Sequence, residues 1–218
     1  MSRCVILSAG PVKNPASLRP LLRPDDWILA ADGGWALAQA LGIPVSLLIA
    51  DFDSLLLSEE DLSGVPEVIR LPVEKDWTDT MAAAMEGFRR GYREFLILGG
   101  TGGRLDHTVA NFAVLYALVR QGARAYMADE QNRVELRLPG HYLLEPQEGY
   151  KFSLFPYGGE VTGLTERQVF YPLDNATLTP DNPLGISNEF LKDSVKNTLL
   201  PAEISFKTGV LMIFLSKD

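Results

Sequence analysis

The stretch "FLILGGTGGRLDHTVANF", residues 95–112, contains the pattern that decides the fold. An apolar run at 95–98 is followed by four glycines, and apolar side chains then recur at three- and four-residue intervals. The members of this recurring series, which form one apolar helix face, are Val109, Phe112, Ala113, Tyr116 and Val119. The stretch therefore predicts a buried β-strand, a tight glycine-rich turn and an α-helix, in that order.

The same alternation extends over the first 138 residues. Apolar or β-branched runs predict strands at 4–7, 27–31, 47–50, 68–71, 95–98 and 125–128. Helical segments are predicted at 35–41, 78–89 and 106–121, and each is followed by a glycine that can cap it, namely Gly42, Gly91 or Gly122. Strands that are apolar on both faces suit a parallel sheet covered by helices. We therefore predict an α/β domain built on a parallel sheet.

The pattern changes after Leu138, where short β-like runs alternate with Pro and Gly turns and no helical period continues. The final stretch "AEISFKTGVLMIFLSKD", residues 202–218, predicts a β-hairpin with strands at 204–206 and 210–215. The segment 172–200 is polar and has no clear pattern. A second, all-β domain is therefore predicted for the rest of the chain.

Composition limits the classes of function. The 218 residues are 46% hydrophobic and 22% charged, as in ordinary soluble globular proteins. A net charge of −8 without a Lys/Arg cluster argues against a nucleic-acid surface and favours cationic or metal-bridged ligands. The single cysteine, Cys4, excludes an internal disulfide and a Cys-based zinc site. No apolar stretch is long enough for a bilayer and no signal sequence is evident, so we expect a cytoplasmic protein without membrane partners.

Several aspartates lie where predicted strands end or the next helices begin: Asp32, Asp51, Asp53, Asp79, Asp106 and Asp129. The carboxyl ends of parallel strands meet at one edge of a sheet, so most of these side chains should come together. For Asp129 alone we favour a cap or a simple turn. Asp51 and Asp53 are so close that their charges repel unless a cation lies between them. Mg²⁺, which usually binds carboxylates and substrate phosphates together, is the expected ion.

The glycine-rich turn supplies the features of a phosphate site. Gly99, Gly100, Gly102 and Gly103 let the backbone turn tightly and present its N–H groups, and the helix dipole adds partial positive charge. Arg104 adds a planar cation that suits phosphate oxygens. The spacing fits neither G-x-G-x-x-G nor the Walker pattern. Together with the aspartates, the turn predicts a metal–polyphosphate site of another kind.

Five motifs together resemble the thiamine pyrophosphokinase family: "ADGG" (31–34), "DFDS" (51–54), "EKDWTD" (74–79), "GGTGGRLDHTVAN" (99–111) and "GISNEF" (185–190). The resemblance implies an N-terminal α/β domain (1–138) that binds ATP and Mg²⁺. It also implies a C-terminal β-sandwich domain (139–218) for thiamine binding and dimerisation. The implied enzyme is a homodimer that converts ATP and thiamine into thiamine diphosphate and AMP, with Mg²⁺. Its active sites would lie at the subunit interface, with Ser187 of one copy facing Asp53 of the other.

The resemblance also implies a role for each matching residue. Asp51, Asp53 and Asp79 would hold Mg²⁺, and with Arg104 and Asp106 they form the implied catalytic set. The implied ATP-binding residues are Asp32, Gly33, Lys75, Gly99, Gly100, Thr101, Gly102, Gly103, Arg104, His107 and Asn111. The implied thiamine-binding residues are Asp79, Ser187 and Asn188.

Some assignments stay open. Asp106 could orient Arg104, bind metal or cap its helix, and His107 in a first helical turn is more often structural than catalytic. Ala50 stands where the family usually has glycine, and no tryptophan follows "GISN" to stack on the thiamine ring. Paired aspartates would also suit a metal-dependent phosphoesterase, although a chain with only two histidines offers few further metal ligands. A non-catalytic nucleotide or thiamine sensor is the other alternative, and it would not require both Asp51 and Asp53.

Overall fold

The computed structural model describes residues 2–52, 64–74 and 76–218. Contacts divide the chain into two compact units, Met1–Glu130 and Gln131–Asp218. The boundary predicted between residues 138 and 139 stays a prediction, and the strand at Asn132–Arg137 lies in the second of these units. None of the helices in the described ranges is both long and apolar enough to cross a membrane.

The first unit contains a parallel sheet and helices. Its strands are β1 (Cys4–Leu7), β2 (Trp27–Ala31), β3 (Leu47–Ala50), β4 (Val68–Arg70), β5 (Glu94–Leu98) and β6 (Arg124–Ala128). Its helices are α1 (Gly34–Leu41), α2 (Asp79–Arg89) and α3 (Leu105–Arg120), with a 3-10 helix at Pro15–Leu21. The strand order is β6-β5-β1-β2-β3-β4, and every neighbouring pair is parallel. The predicted α/β fold is confirmed.

The strand order reverses beside β1. From β1 the chain places β2, β3 and β4 successively outward on one side, and it then returns to place β5 on the other side. The loops that follow β1 and β5 therefore leave the sheet in different directions. In an open parallel sheet, ligands bind at such a reversal, beyond the carboxyl ends of the strands. The glycine-rich turn after β5 lies at this point.

The central strands are buried because they are apolar on both faces. All four residues of β1 are fully buried, and Val5 is paired with Ile28 of β2 and Leu96 of β5. The predicted bounds of β1, β2 and β3 match the structure. After α1, Gly42 adopts a φ of 60°, as its predicted capping role requires.

The predicted apolar face of α3 is not the face that the helix buries. Val109 is 64% exposed, and Val119 is the one member of the predicted series that is buried. The buried residues of this fully described helix are Asn111, Val114, Leu115, Leu118 and Val119. The helix carries two apolar stripes, and spacing alone does not tell which of them packs on the sheet.

The second unit is built from antiparallel strands. They are β7 (Asn132–Arg137), β8 (Gly140–Leu144), β9 (Lys151–Pro156), β10 (Val161–Arg167), β11 (Ala176–Leu178), β12 (Gly185–Asn188), β13 (Ala202–Phe206) and β14 (Leu211–Ser216). Two sets form, with the orders β7-β14-β9-β12 and β8-β13-β10-β11. Buried side chains from both sets, such as Phe152, Leu164, Ile204 and Ile213, belong to one core. The predicted β-sandwich is therefore confirmed.

The predicted C-terminal hairpin is wrong. The strands β13 and β14 are present, but β13 pairs with β8 and β10 whereas β14 pairs with β7 and β9. Residues 207–209, which include Gly209 at a φ of 92°, carry the chain from one sheet to the other. A strand–turn–strand pattern shows the turn but not the partners of its strands. Those partners lie far away in the sequence.

Candidate active site

The loops that follow β1 and β5 are bonded to each other. The N–H of Gly10 donates to the carbonyl oxygen of Gly99 at 2.7 Å, and the N–H of Ser8 donates to that of Leu98 at 2.8 Å. A Cβ on Gly10 would lie 2.3 Å from the Gly99 oxygen and 2.6 Å from the Thr101 oxygen, both in the main chain. Position 10 therefore requires glycine. Gly10 is not among the residues predicted from sequence, although "AGP" shortly after a buried strand was the available signal.

The loop between β5 and α3 has a backbone that favours glycine at three positions. Gly99, Gly102 and Gly103 adopt φ angles of 67°, 80° and 60°, in the left-handed region. Arg104 occupies the N-cap position of α3 and, within the described part of the chain, makes no side-chain capping hydrogen bond. The predicted turn thus brings the start of a helix and a guanidinium group to the carboxyl edge of the sheet.

Two side chains predicted to bind ATP also support this loop. The Thr101 hydroxyl donates to Asp129 Oδ2 at 2.7 Å, and Asn111 Nδ2 donates to the Gly100 carbonyl oxygen at 2.8 Å. Asn111 is buried on α3. Asp129, for which a cap or turn role is favoured from sequence, is the acceptor that fixes Thr101. These contacts fix the conformation of the loop from two sides.

Arg104 and Asp106 form a two-point ion pair at the start of α3. The Nε and Nη2 atoms of Arg104 lie 3.2 and 2.6 Å from the two carboxylate oxygens of Asp106. Hydrogen bonding to Arg104 lowers the pKa of Asp106 and raises that of Arg104. Their side chains are 73% and 63% exposed. Of the three roles considered for Asp106, orienting Arg104 is the one that this contact supports. His107, also exposed, donates its backbone N–H to Asp106 Oδ1 at 3.0 Å.

The "ADGG" motif joins β2 to α1 at the same edge. Asp32 adopts a φ of 46°, and its N–H donates to the Ile49 carbonyl oxygen of β3 at 2.8 Å. Its Oδ1 atom is buried and accepts no hydrogen bond from any described residue. Gly33 lies against the β1 loop, since a Cβ there would be 2.9 Å from that of Ala9. A buried carboxylate oxygen at this position is suited to an external donor or a cation.

The strand β3 leads directly into the aspartate-rich loop. Asp51 follows Ala50 and is half-buried, and Phe52 adopts a φ of 61°, unusual for a bulky residue. The guanidinium group of Arg70 lies 4.2 Å from the centre of the Phe52 ring. Asp53 and Lys75, both predicted site residues, lie outside the described residues.

Asp79 lies in the first turn of α2, whose start is fixed by two contacts. The Thr78 hydroxyl oxygen accepts the N–H of Met81 at 3.2 Å and caps the helix. The hydroxyls of Thr80 and Ser8 are buried and lie 2.7 Å apart, which joins α2 to the β1 loop. Thr80 and Ser8, which the motifs did not identify, therefore hold the start of α2 against the β1 loop.

The described residues contain no group of three or more His, Cys, Asp or Glu side chains that could hold a metal ion. Two of the three predicted ligands, Asp51 and Asp79, are described, and the third, Asp53, is not. The candidates are all carboxylates, and Asp32 adds a buried oxygen that accepts no hydrogen bond within the described ranges. This donor set suits a hard cation such as Mg²⁺.

The two other predicted thiamine contacts, Ser187 and Asn188, lie in β12 of the second unit. Ser187 is exposed and adopts a φ of 56°, and its N–H donates to Ser153 Oγ at 2.9 Å. Asn188 is buried, and hydrogen bonds within the unit engage both atoms of its amide. Ser187 is thus accessible, whereas Asn188 acts inside the sandwich.

Comparison with known proteins gives a consistent result. Residues 18–127 match the family model "Thiamin pyrophosphokinase, catalytic domain", and residues 141–211 match "Thiamin pyrophosphokinase, vitamin B1 binding domain". A thiamine pyrophosphokinase from Bacillus subtilis (strain 168) is 31% identical over 195 residues, which is 88% of this chain and 87% of the relative.

Solved structures agree. The crystal structure of thiamine pyrophosphokinase from Bacillus subtilis superposes with a TM-score of 0.87 at 27% identity, over 100% of both chains. The crystal structure of thiamin pyrophosphokinase from Geobacillus thermodenitrificans superposes with a TM-score of 0.82 at 28% identity, over 100% of this chain and 98% of the other chain. The chain therefore belongs to the thiamine pyrophosphokinase family of enzymes.

Proposed function

We propose that this enzyme transfers the diphosphoryl group of ATP to thiamine, giving thiamine diphosphate and AMP. The observation that carries the proposal is the pairing of the loops after β1 and β5 at the point where the strand order reverses. There the glycine-rich turn, the start of α3 and Arg104 form a candidate polyphosphate site. The names of the Bacillus subtilis relative and of the two family models support the assignment.

In the proposed reaction the thiamine hydroxyl group releases its proton to water, and its oxygen forms a bond to the β-phosphorus of ATP. The bond from that phosphorus to the oxygen shared with the α-phosphate breaks, and AMP leaves with the electron pair. Such transfers depend on positioning and charge neutralisation more than on covalent catalysis. The protein must therefore hold a polyphosphate in line with an alcohol and neutralise its charge.

Different residues of the first unit are proposed to hold the polyphosphate and to neutralise its charge. We propose that Gly99, Gly100, Gly102 and Gly103 bring the backbone close to the phosphates, and that Arg104 stabilises the charge on the transferred group. Asp106 orients the guanidinium group through the two-point contact. Thr101 and Asn111 keep the loop in its conformation. We retain Asp32, Gly33, Lys75 and His107 as proposed ATP contacts.

Asp51, Asp53 and Asp79 would hold Mg²⁺, which would supply positive charge to the phosphate oxygens when bound. Asp79 is also a proposed thiamine contact. In the second unit, Ser187 is proposed to hydrogen-bond the aminopyrimidine of thiamine. The neighbouring Asn188, which is buried, is proposed to support Ser187 in this contact. We further propose a cytoplasmic homodimer whose active sites use residues of both copies.

The test is a product assay with the full chain, Mg²⁺, ATP and thiamine. The proposal predicts equal amounts of AMP and thiamine diphosphate, and no AMP when thiamine is omitted. Phosphate release that does not depend on thiamine would instead indicate a phosphoesterase. Binding without turnover would indicate a sensor.

A further inference from the structure

The second unit contains a carboxylic acid at a position where its fold calls for an apolar residue. Glu166 lies on β10, its side chain is on the same buried face as Val161 and Leu164, and only 1% of the residue is exposed. Burying a carboxyl group is costly unless it has a specific partner. Burial accordingly raises the pKa of Glu166 to about 7.

The partner of Glu166 lies in the opposite sheet of the sandwich. Asn188 Nδ2, on β12, donates to Glu166 Oε2 at 3.0 Å and to the Tyr171 carbonyl oxygen at 2.9 Å. Asn188 Oδ1 accepts the N–H groups of Tyr171 and Glu189 at 3.0 and 2.9 Å. If the amide were reversed, its NH₂ group would face two N–H donors. These four contacts together fix one orientation of the Asn188 amide, and among the four only the contact with Glu166 is made by a side chain.

The fixed amide holds an irregular stretch of β12. Between the pairs Gly185–Leu154 and Asn188–Phe152, β12 contains one residue more than β9, so a β-bulge lies at Ile186 and Ser187. Ser187 adopts the left-handed conformation, which costs free energy for any residue except glycine. Hydrogen bonds on both sides keep Ser187 in this conformation. The Asn188 amide makes them on one side, and the Ser153 hydroxyl accepts the Ser187 N–H on the other. Bulges of this kind redirect side chains next to functional sites.

We propose that Glu166 is a positioning residue for thiamine, because it fixes the Asn188 amide and thereby the bulge that presents Ser187 to the aminopyrimidine ring. This inference rests on the proposed function. Asn188 is then also a positioning residue and not a direct ligand. The carboxyl group is required for its acceptor oxygen, so glutamine can replace it whereas leucine cannot.

The first test measures the KM for thiamine at saturating ATP and Mg²⁺ in the full chain. Glu166→Leu should raise this KM about tenfold and change kcat and the KM for ATP less than twofold, while Glu166→Gln should stay near wild type. Leu178→Ala, in the same core, is the control for destabilisation alone and should leave the KM unchanged. If Glu166→Leu does not fold, Glu166→Met replaces it, since methionine has a similar length and no acceptor oxygen; it should raise the KM for thiamine in the same way, and an unchanged KM would overturn the proposal.

A double variant tests whether Glu166 acts through Ser187. Ser187→Gly removes the hydroxyl without backbone strain, and adding Glu166→Leu to it should raise the KM for thiamine no further. If the double variant raised the KM for thiamine by the product of the two single effects, the proposal would be overturned. A Glu166→Leu variant that left this KM unchanged, as Leu178→Ala should, would also overturn it.

Amide hydrogen exchange gives a readout that does not depend on activity. The N–H groups of Tyr171 and Glu189 should exchange about tenfold faster in Glu166→Leu and at the wild-type rate in Glu166→Gln. Unchanged exchange in Glu166→Leu would overturn the positioning role. A wild-type chain that makes no thiamine diphosphate contradicts the proposed function, and the exchange rates then still decide the role of Glu166.

Discussion

The backbone N–H of Gly10 donates a hydrogen bond of 2.7 Å to the carbonyl oxygen of Gly99. This bond joins the two loops that leave the sheet where the strand order reverses. The glycine-rich loop, with its candidate phosphate-binding groups, is therefore held by a residue that has no side chain of its own. The geometry of the proposed ATP site depends on how closely these two backbones approach.

Replacing Gly10 tests that dependence. A Cβ at this position would lie 2.3 Å from the Gly99 oxygen, so Gly10→Ala must separate the two loops. We expect a loss of about 1–3 kcal/mol in the free energy of unfolding and a clear drop in kcat/KM for ATP. Urea denaturation and initial rates measure both quantities.

Gly159→Ala is the matched control, because a Cβ there meets no atom of the described residues within 4 Å. It should change the free energy of unfolding by less than about 0.5 kcal/mol. If Gly10→Ala were equally neutral, the two loops would not need their close contact.

Arg104 is expected to act in the transition state and not in ground-state binding. Lysine cannot reproduce the two-point contact with Asp106 or the planar fork offered to phosphate oxygens. Arg104→Lys should therefore lower kcat by roughly 100-fold, with a much smaller change in the KM for thiamine. Arg120→Lys, at the last turn of the same helix, is the control and should keep wild-type kinetics. An effect restricted to KM would assign Arg104 to substrate binding instead.

Local patterns in the sequence predicted the elements better than their partners. The strands β1, β2 and β3 could be located to the residue, because they are apolar on both faces and end at aspartate or serine. The pairing of β13 and β14 with different sheets could not, because it depends on strands far away in the sequence. The buried face of α3 was missed because two stripes of that helix are apolar.

In the candidate site, too, the sequence predicted charged residues but not the contacts that hold the loops together. The motifs identified Asp32, Asp79 and Arg104, which carry charge at the ends of strands and the starts of helices. They did not identify Gly10, Ser8 or Thr80, whose roles are close approach and a buried hydroxyl contact. Nor could the sequence show that Asn188 is engaged by Glu166, 22 residues earlier in the chain.

The free energy of unfolding should depend on pH because of Glu166. Its pKa is about 7 in the folded protein against an ordinary value of 4.5, because burial disfavours the charged form. Between these values the folded protein keeps a proton that the unfolded chain has lost, so stability falls as the pH rises. The total loss is about 3 kcal/mol.

Urea denaturation of the wild type and of Glu166→Gln at pH 5 and pH 8 isolates this contribution, since every other group is shared. The variant should lose about 2–3 kcal/mol less than the wild type between the two pH values, since part of the total is already lost at pH 5. Identical losses would show that Glu166 titrates normally.

The proposed dimer with shared active sites can be tested by complementation. Asp53→Asn and Ser187→Trp should each be nearly inactive, because one removes a proposed metal ligand and the other fills the proposed thiamine position. In a mixed dimer one site carries both changes and the other carries neither. An equal mixture should therefore recover about a quarter of wild-type activity. If differently tagged copies co-purify and the mixture stays inactive, the site lies within one chain.

In the proposed reaction a diphosphoryl group moves in one step from ATP to thiamine. The most direct measurement uses ATP labelled at the β-phosphate, with Mg²⁺ and thiamine, and follows the label through a single time course. Diphosphoryl transfer predicts that the label appears in thiamine diphosphate in step with AMP, without thiamine monophosphate or ADP. Label that remains in ADP while thiamine monophosphate forms, or label released as inorganic phosphate without thiamine, would contradict it.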